Sequence, residues 1–289
     1  MSDMIPAQST IGEAWLATLT DVSSDGGRKI HLLSTVTDPS GPDHPGIRAV
    51  ADALLVEHWR GKNHIQPVET VAGTIFSDLY RDPGVSWSKD MSASDLTKLN
   101  RAAERLYERY SALLPHLRDF PANKRGTYFG RMIQFPGKKG NDVNQLAARV
   151  ASLRSTRRGG RGRTNANDLV LGGEGQILDD GLPGVQVYAA DDNRTRGFPC
   201  LVHIDISVFE GKLNLIATYR HQYLITKAYG NMVGLANLQK FLSQQSGFPV
   251  GELSIMATMA DAEHGTWGGV RGVKRIVAEA SLAAGIALP

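Results

Sequence analysis

The chain has 289 residues, 42% of them hydrophobic, and carries a formal charge of +3 with a single cysteine. That is enough apolar material for a sizeable core without staples, too little net charge to imply nucleic acid by itself, and one thiol too few for an internal disulfide. No stretch approaches the ~18 apolar residues of a membrane span and the N-terminus lacks a charged-then-apolar signal, so the cytoplasm is the expected compartment.

In chain order, residues 1–45 are rich in Ser, Asp, Gly and Pro after a short helix at Ile11–Leu19, and are expected to be otherwise irregular. Helical periodicity follows over Gly46–Trp59 and Asp95–Leu117, with a shorter helix from Pro67, a residue suited to a first helical position. Asn141–Leu153 reads as another helix. Residues 154–184 then form an expected Arg/Gly-rich insertion loop, opened by Arg154, Arg157, Arg158, Arg161 and Arg163 with glycines between them. Such a run is ordinarily a solvated loop; its functional readings are a phosphate clamp or a nucleic-acid patch. The absence of an aromatic residue within it favours phosphate over single strands, so nucleic acid is not the expected partner.

Beyond this loop the character changes. Val185–Ala190 is β-like, and Cys200–Phe209 alternates, with Cys200, Val202, Ile204, Ile206 and Val208 on one face. Glu210-Gly211 suits a two-residue hairpin loop, and Lys212–Arg220 returns as the paired strand. Asn231 is expected to cap a helix running to about Gln245; Leu253–Met259 reads as a strand and Val270–Ala284 as the last helix. Helices first and antiparallel strands after, with no repeat and no long linker, predict one α+β domain over residues 1–289.

Cys200 is the candidate nucleophile. A lone cysteine is ordinarily a small core residue, but Pro199 places this one at a loop–strand junction, and the hairpin sets it opposite Arg220, a cation able to favour the thiolate.

The run Pro199-Cys200, Phe209-Glu210-Gly211-Lys212-Leu213 and Tyr219-Arg220, then Asn231, Gln244-Gln245 and Val250-Gly251-Glu252-Leu253, resembles without a gap the catalytic segment of thymidylate synthases and related pyrimidine nucleotide hydroxymethylases. Weaker echoes are Tyr128-Phe129-Gly130-Arg131, Val143-Asn144-Gln145-Leu146 and Pro67-Val68-Glu69. The resemblance implies a thymidylate synthase-like α+β fold, a mixed or antiparallel sheet with helices packed on one face. It implies folate-dependent methylation or hydroxymethylation at C5 of a pyrimidine nucleotide through a cysteine–C6 adduct, with 5,10-methylene-tetrahydrofolate as cofactor and no metal. It also implies a homodimer formed by sheets packed back to back, for which the alternating face of 200–208 with Leu213, Leu215 and Ala217 is the expected surface.

Carried over by residue, Cys200 matches the nucleophile and Glu69 the glutamate that manages protons at the ring. Arg220 matches a phosphate ligand and Asn231 the amide that reads the pyrimidine edge; for Glu69 and Asn231 a helix first-turn acid and a plain N-cap are the alternatives. Asp261 and Glu263 fall where the family has the His and Tyr that hold the sugar, and Asp261 is kept as a candidate ligand for ribose hydroxyls. The family's partner-subunit arginines have no counterpart near Gly181–Gly184, and Arg157 and Arg158 are the candidate replacements. His221 replaces a serine, Tyr223 the folate-contacting aspartate, Lys227 a motif glycine, and Phe129 a tyrosine whose hydroxyl is thereby lost. These departures weigh on the folate half more than on the nucleotide half. The alternative reading is a nucleotide-binding or regulatory protein of the same fold, without the transfer chemistry.

Overall fold

A computed structural model of the chain describes residues 4–59, 65–120, 123–124, 126–136, 142–159, 169–170 and 199–286. Val185–Ala190, Arg161, Arg163 and Gly181–Gly184 lie outside the described residues. The chain forms two compact units: Met1–Gly73 with Ile216–Asn237 and Gly251–Pro289, and Thr74–Leu215 with Leu238–Val250. Among the described residues no helix is long and apolar enough to cross a membrane.

The first unit begins with helix α1 (Ile11–Ser24), whose start is fixed by a reciprocal cap: Thr10 accepts from the Glu13 amide while the Glu13 carboxylate accepts from the Thr10 amide. Strand β1 (Arg28–Val36) follows, where an irregular segment was expected. Its register partner is β8 (Val250–Asp261), antiparallel from Arg28↔Asp261 to Val36↔Leu253. Burial of alternate residues Leu32, Ser34 and Val36 marks it as a half-buried strand. Residues Met4 and Gln8 bridge to Leu33 and Val36 in parallel and cover its outer edge.

Helices α2 (Pro45–Trp59) and α3 (Val68–Gly73), the Ile216–Tyr219 part of β6 (Lys212–Tyr219), the short β7 (Gln222–Tyr223) and α8 (Gly269–Ala283) complete this unit. Strand β7 pairs in parallel with β8, Gln222 opposite Ala260, so the sheet is mixed. A π-helical turn, Leu224–Ala228, then leads into α7 (Tyr229–Ser246), whose part up to Asn237 belongs here. The core holds Trp15, Leu19, Leu32, Ile47, Leu224, Leu235, Ile255 and Val273, all at most 2% exposed. Gly230 lets α7 lie directly on α3: a Cβ there would sit 2.6 Å from Val71 Cβ and 2.7 Å from the Val68 carbonyl oxygen.

In the second unit, α4 (Ala93–Arg118), α5 (Tyr128–Ile133), a small ribbon of β2 (Phe135–Pro136) and β3 (Asp142–Val143), and α6 (Gln145–Arg157) precede β4 (Leu169–Val170) and β5 (Leu201–Phe209). Strand β4 pairs antiparallel with β5, which turns into β6 through Glu210 (φ 50°) and Gly211 (φ 75°), the two positive values the expected hairpin loop requires. Helix α6 starts after the cap Asn144 and runs on through Arg154 and Arg157, so the first of the arginines expected in a loop are helical. Phe129 packs edge-on against Phe76 and Tyr110 at 5.6 and 4.7 Å, fully buried.

The α+β class with a mixed sheet and packed helices is thus observed. The surface expected for a second copy is not available: Ile204, Ile206, Leu213, Leu215 and Ala217 are each at most 2% exposed within a single chain. These residues form the chain's own core; Gln239 of α7, itself buried, donates to the Leu213 carbonyl at 2.8 Å.

Candidate functional site

In the second unit, Cys200 lies just before β5, half-buried and in no disulfide, whereas Leu201 beside it is fully buried. The Leu201 amide donates to the Tyr128 hydroxyl at 3.3 Å. Burial first, then the charge of Cys200, push the Tyr128 phenol up to about 12 against the lowering effect of the Leu201 and Cys200 amides. A phenol therefore stands beside the thiol and keeps its proton at neutral pH. Phe129, without the hydroxyl, packs in the aromatic core, and the neighbouring Tyr128 brings a hydroxyl to this region. Periodicity could not separate the two, because adjacent residues of a short helix face different ways.

Arg157 and Arg158, also in this unit, place their guanidinium groups over the rings of Phe248 and Trp87, at 5.1 and 5.4 Å. The aromatic partners missing from the basic run come from elsewhere in the chain. Arg154 donates to the Gln245 carbonyl (2.6 Å), the Gln245 side-chain oxygen (2.8 Å) and Asn100 (2.8 Å). Gln244, beside it, takes the Tyr80 hydroxyl and donates to Asp82 at 2.6 Å.

In the first unit, Arg220 is half-buried just past β6, its carbonyl accepting from Met259 at 3.1 Å. Two residues on along β8, Asp261 is 5% exposed. Its carboxylate accepts from Arg28 Nε at 2.9 Å and from the Glu263 amide at 2.7 Å, and lies 3.5 Å from His221 Nε2. Arg220, His221 and Asp261 thus gather at one end of the sheet, with Asp261 already engaged by neighbours in its own unit. The His221 ring leans on Tyr223 at 4.4 Å.

Asn231 is 5% exposed and lies in the first turn of α7, not at its cap. The π-helical turn ahead of α7 is capped by a distant residue: the Glu263 carboxylate accepts from the amides of Ile225 (2.9 Å) and Thr226 (2.8 Å) and from the Thr226 hydroxyl (2.7 Å). A carboxylate at this terminus satisfies orphan donors and opposes the positive end of the helix dipole. Burial outweighs these bonds, and the Glu263 pKa lies above the ordinary 4.5. Replacing Glu263 by Ala is expected to cost about 2–3 kcal/mol, since buried amides lose their acceptor, while Gln keeps one and costs less. A group whose folded pKa is raised contributes stability that is full at acidic pH and declines as pH rises through the folded value. The advantage of wild type over E263Q should accordingly shrink from pH 4.5 upward; thermal melts of both proteins across pH check it.

Glu69, in the first turn of α3, is exposed and ion-paired to Arg48, which also holds Asp52 at 2.7 Å and stands 5.6 Å over the Tyr229 ring. Burial works against the Arg48 charge, yet these two carboxylates hold its pKa above the ordinary arginine value. The Tyr229 hydroxyl donates to Asp43 at 2.6 Å, and burial with this bond raises its pKa strongly. Glu69 and Asn231 are brought onto adjacent elements, α3 and α7. Sequence reasoning missed Arg48, Asp43 and Tyr229; the i,i+4 pair Arg48/Asp52 was the one local signal.

The structure is similar to that of thymidylate synthase from T4 phage, with 14% identity over 43% of this chain and 37% of that one and a TM-score of 0.31. It is also similar to the thermostable thymidylate synthase A of Bacillus subtilis, with 12% identity over 93% of this chain and 84% of that one and a TM-score of 0.49. The chain thus spans little more than a third of the phage enzyme's length in that match. No family model and no curated protein sequence matches this chain.

Proposed function

We propose that the protein binds a pyrimidine nucleotide and activates its C5 position through a covalent bond between Cys200 Sγ and C6, the chemistry that serves methyl or hydroxymethyl transfer. The observation that carries this reading is the setting of Cys200: half-buried at a loop–strand junction, beside a buried phenol, and not in the apolar core its neighbour Leu201 occupies. The thiolate adds to C6, the C5–C6 π electrons move toward C5 and O4, and C5 becomes a nucleophile. Tyr128, protonated at neutral pH, is the hydrogen-bond donor suited to a thiolate. The roles of phosphate ligand for Arg220, amide for the pyrimidine edge for Asn231 and proton carrier for Glu69, which Arg48 orients, follow from the resemblance in sequence. Arg157 and Arg158, over the Phe248 and Trp87 rings, are the further candidates for the phosphate.

The residues do not fit 5,10-methylene-tetrahydrofolate. The position matching the folate-contacting aspartate is Tyr223, 41% exposed with His221 against its ring, and it offers no carboxylate. The adduct alone makes a test possible without any one-carbon donor: C5 of the adduct takes a deuteron from D2O, loses its original hydrogen, and the thiolate leaves. Incubation with UMP, dUMP, CMP and dCMP in D2O, followed by proton NMR of H5, should show exchange with one base and one sugar preferred. Binding of a pyrimidine nucleotide with no exchange of H5 would favour the regulatory reading, to which the internal engagement of Asp261 and Glu263 lends support.

We further propose a homodimer, through the sheet face opposite the core. In the first unit this face carries half-buried Leu33, Thr35, Ile216, Thr218, Ser254 and Met256, with the Thr35 and Ser254 hydroxyls bonded at 2.9 Å. Sedimentation at micromolar concentration should give a mass near twice 31.3 kDa, and M256K should shift it toward the monomer.

A further inference from the structure

Helix α4 is amphipathic in an unusual way. Its buried stripe is Leu99, Ala103, Leu106, Tyr110 and Leu114. Beside that stripe runs a row of cations, Lys98, Arg101, Arg105 and Arg109, spaced three, four and four residues apart and therefore stacked turn upon turn on one side of the helix. This row forms one wall of a groove of about 380 Å³, and the segment Leu79–Pro83 forms the other, contributing Arg81 and Asp82. All of these residues belong to the second unit.

Five cations and one carboxylate line the groove, and the carboxylate is already engaged: Asp82 Oδ1 accepts from Gln244 at 2.6 Å and from the Gly84 amide at 2.7 Å. Lys98 pairs with Asp95 at 3.2 Å, on an exposed face where such a pair is weak. Arg81 donates to the Asp78 carbonyl at 2.7 Å. Among the described residues no carboxylate pairs with Arg101, Arg105 or Arg109. Like charges one turn apart repel, so the row is held at a cost unless an anion neutralises it.

We propose that this groove is a binding site for a small, multiply phosphorylated molecule, separate from the nucleotide site built around Cys200. The volume falls in the small-ligand range of about 300–1,000 Å³. Guanidinium forks aligned along one wall suit several phosphate groups in succession better than a single one. The apolar part of the lining, Leu79, Pro83 and Ala102, offers no aromatic ring on which bases could stack, so recognition falls on the phosphates and a single-stranded nucleic acid is disfavoured.

Calorimetric titration of the full chain with inorganic triphosphate, inorganic phosphate and a mixed-sequence single-stranded oligonucleotide tests the assignment. Triphosphate should bind at least about tenfold more tightly than phosphate, and its affinity should fall steeply between about 50 and 200 mM salt. The double variant R105A/R109A, at two exposed positions, should melt like wild type, keep H5 exchange if wild type shows it, and bind triphosphate about tenfold or more weakly. The proposal is overturned if triphosphate does not bind at low salt, or if the double variant binds it as tightly as wild type. It is equally overturned if the oligonucleotide binds more tightly than triphosphate and loses that affinity in the same variant, which would give the row to nucleic acid.

Discussion

Replacing Cys200 by Ser is expected to abolish hydrogen exchange at C5 of the bound pyrimidine, with nucleotide affinity and melting temperature nearly unchanged. A hydroxyl is far harder to ionise than a thiol, so the rate should fall by roughly 10³-fold or more. Stability should move by less than about 0.5 kcal/mol, because the half-buried position does not force the new hydroxyl into an apolar site. A cysteine packed in the core would give the reverse: a loss of roughly 1–3 kcal/mol for a poorly paired buried hydroxyl. The companion change Y128F tests the phenol's part. It keeps the ring and removes the hydroxyl proposed to donate to the thiolate, so exchange should slow while the melt stays within about 1 kcal/mol. Loss of fold stability without loss of exchange in C200S would end the nucleophile reading.

The largest effect on stability is expected at Arg154. Its guanidinium ties the end of α7, at the backbone and side-chain oxygens of Gln245, to Asn100 of α4. Gln245 is fully buried, and its amide nitrogen also reaches the Leu99 carbonyl at 3.2 Å. Truncation to Ala leaves two Gln245 oxygens without their donors in a dry environment, which should cost about 3 kcal/mol. Lys should recover little, because an ammonium cannot present the guanidinium's planar set of N–H groups to three acceptors. Urea unfolding of wild type, R154A and R154K checks the order. A loss below about 1 kcal/mol in R154A would mean that solvent reaches and satisfies these oxygens.

The hairpin at Glu210-Gly211 was legible because everything that fixes it is local: alternation on both sides and a glycine that adopts positive φ freely at the second loop position. The long helices were legible for the same reason. Strand β1 was not, since Ser, Asp and Gly around it read as irregular, and what makes it a strand is a partner more than two hundred positions away. The start of α7 was misplaced on Asn231 because a π-helical turn leads into it, capped by Glu263, a residue that no local pattern connects to Ile225 and Thr226. The arginines at 154–158 read as a solvated loop, yet three of them are held by Gln245, Phe248 and Trp87, remote in sequence. At the candidate site, the residue types were visible in the sequence; which neighbours they engage was not. Glu69 and Asp261 illustrate the difference, since each carboxylate is occupied by an arginine, Arg48 and Arg28, that the sequence order does not bring near it.

The pairing of β1 with β8 also governs how the chain must be made. Val36 meets Leu253, so at about 5–20 residues per second the first strand waits roughly 10–40 s on a growing chain before its partner exists. Over that interval Leu32 and Val36, fully shielded at the end, face solvent on a strand without its ladder. Such late closure of a nonlocal pair slows folding and lengthens exposure to aggregation. The second unit is completed late as well: its stretch Thr74–Leu215 needs Leu238–Val250, whose Gln245 and Phe248 hold Arg154 and Arg157. Translation therefore leaves both units open until the segment from Leu238 to Leu253 has been made, and the N-terminal strand stays unpaired through most of synthesis.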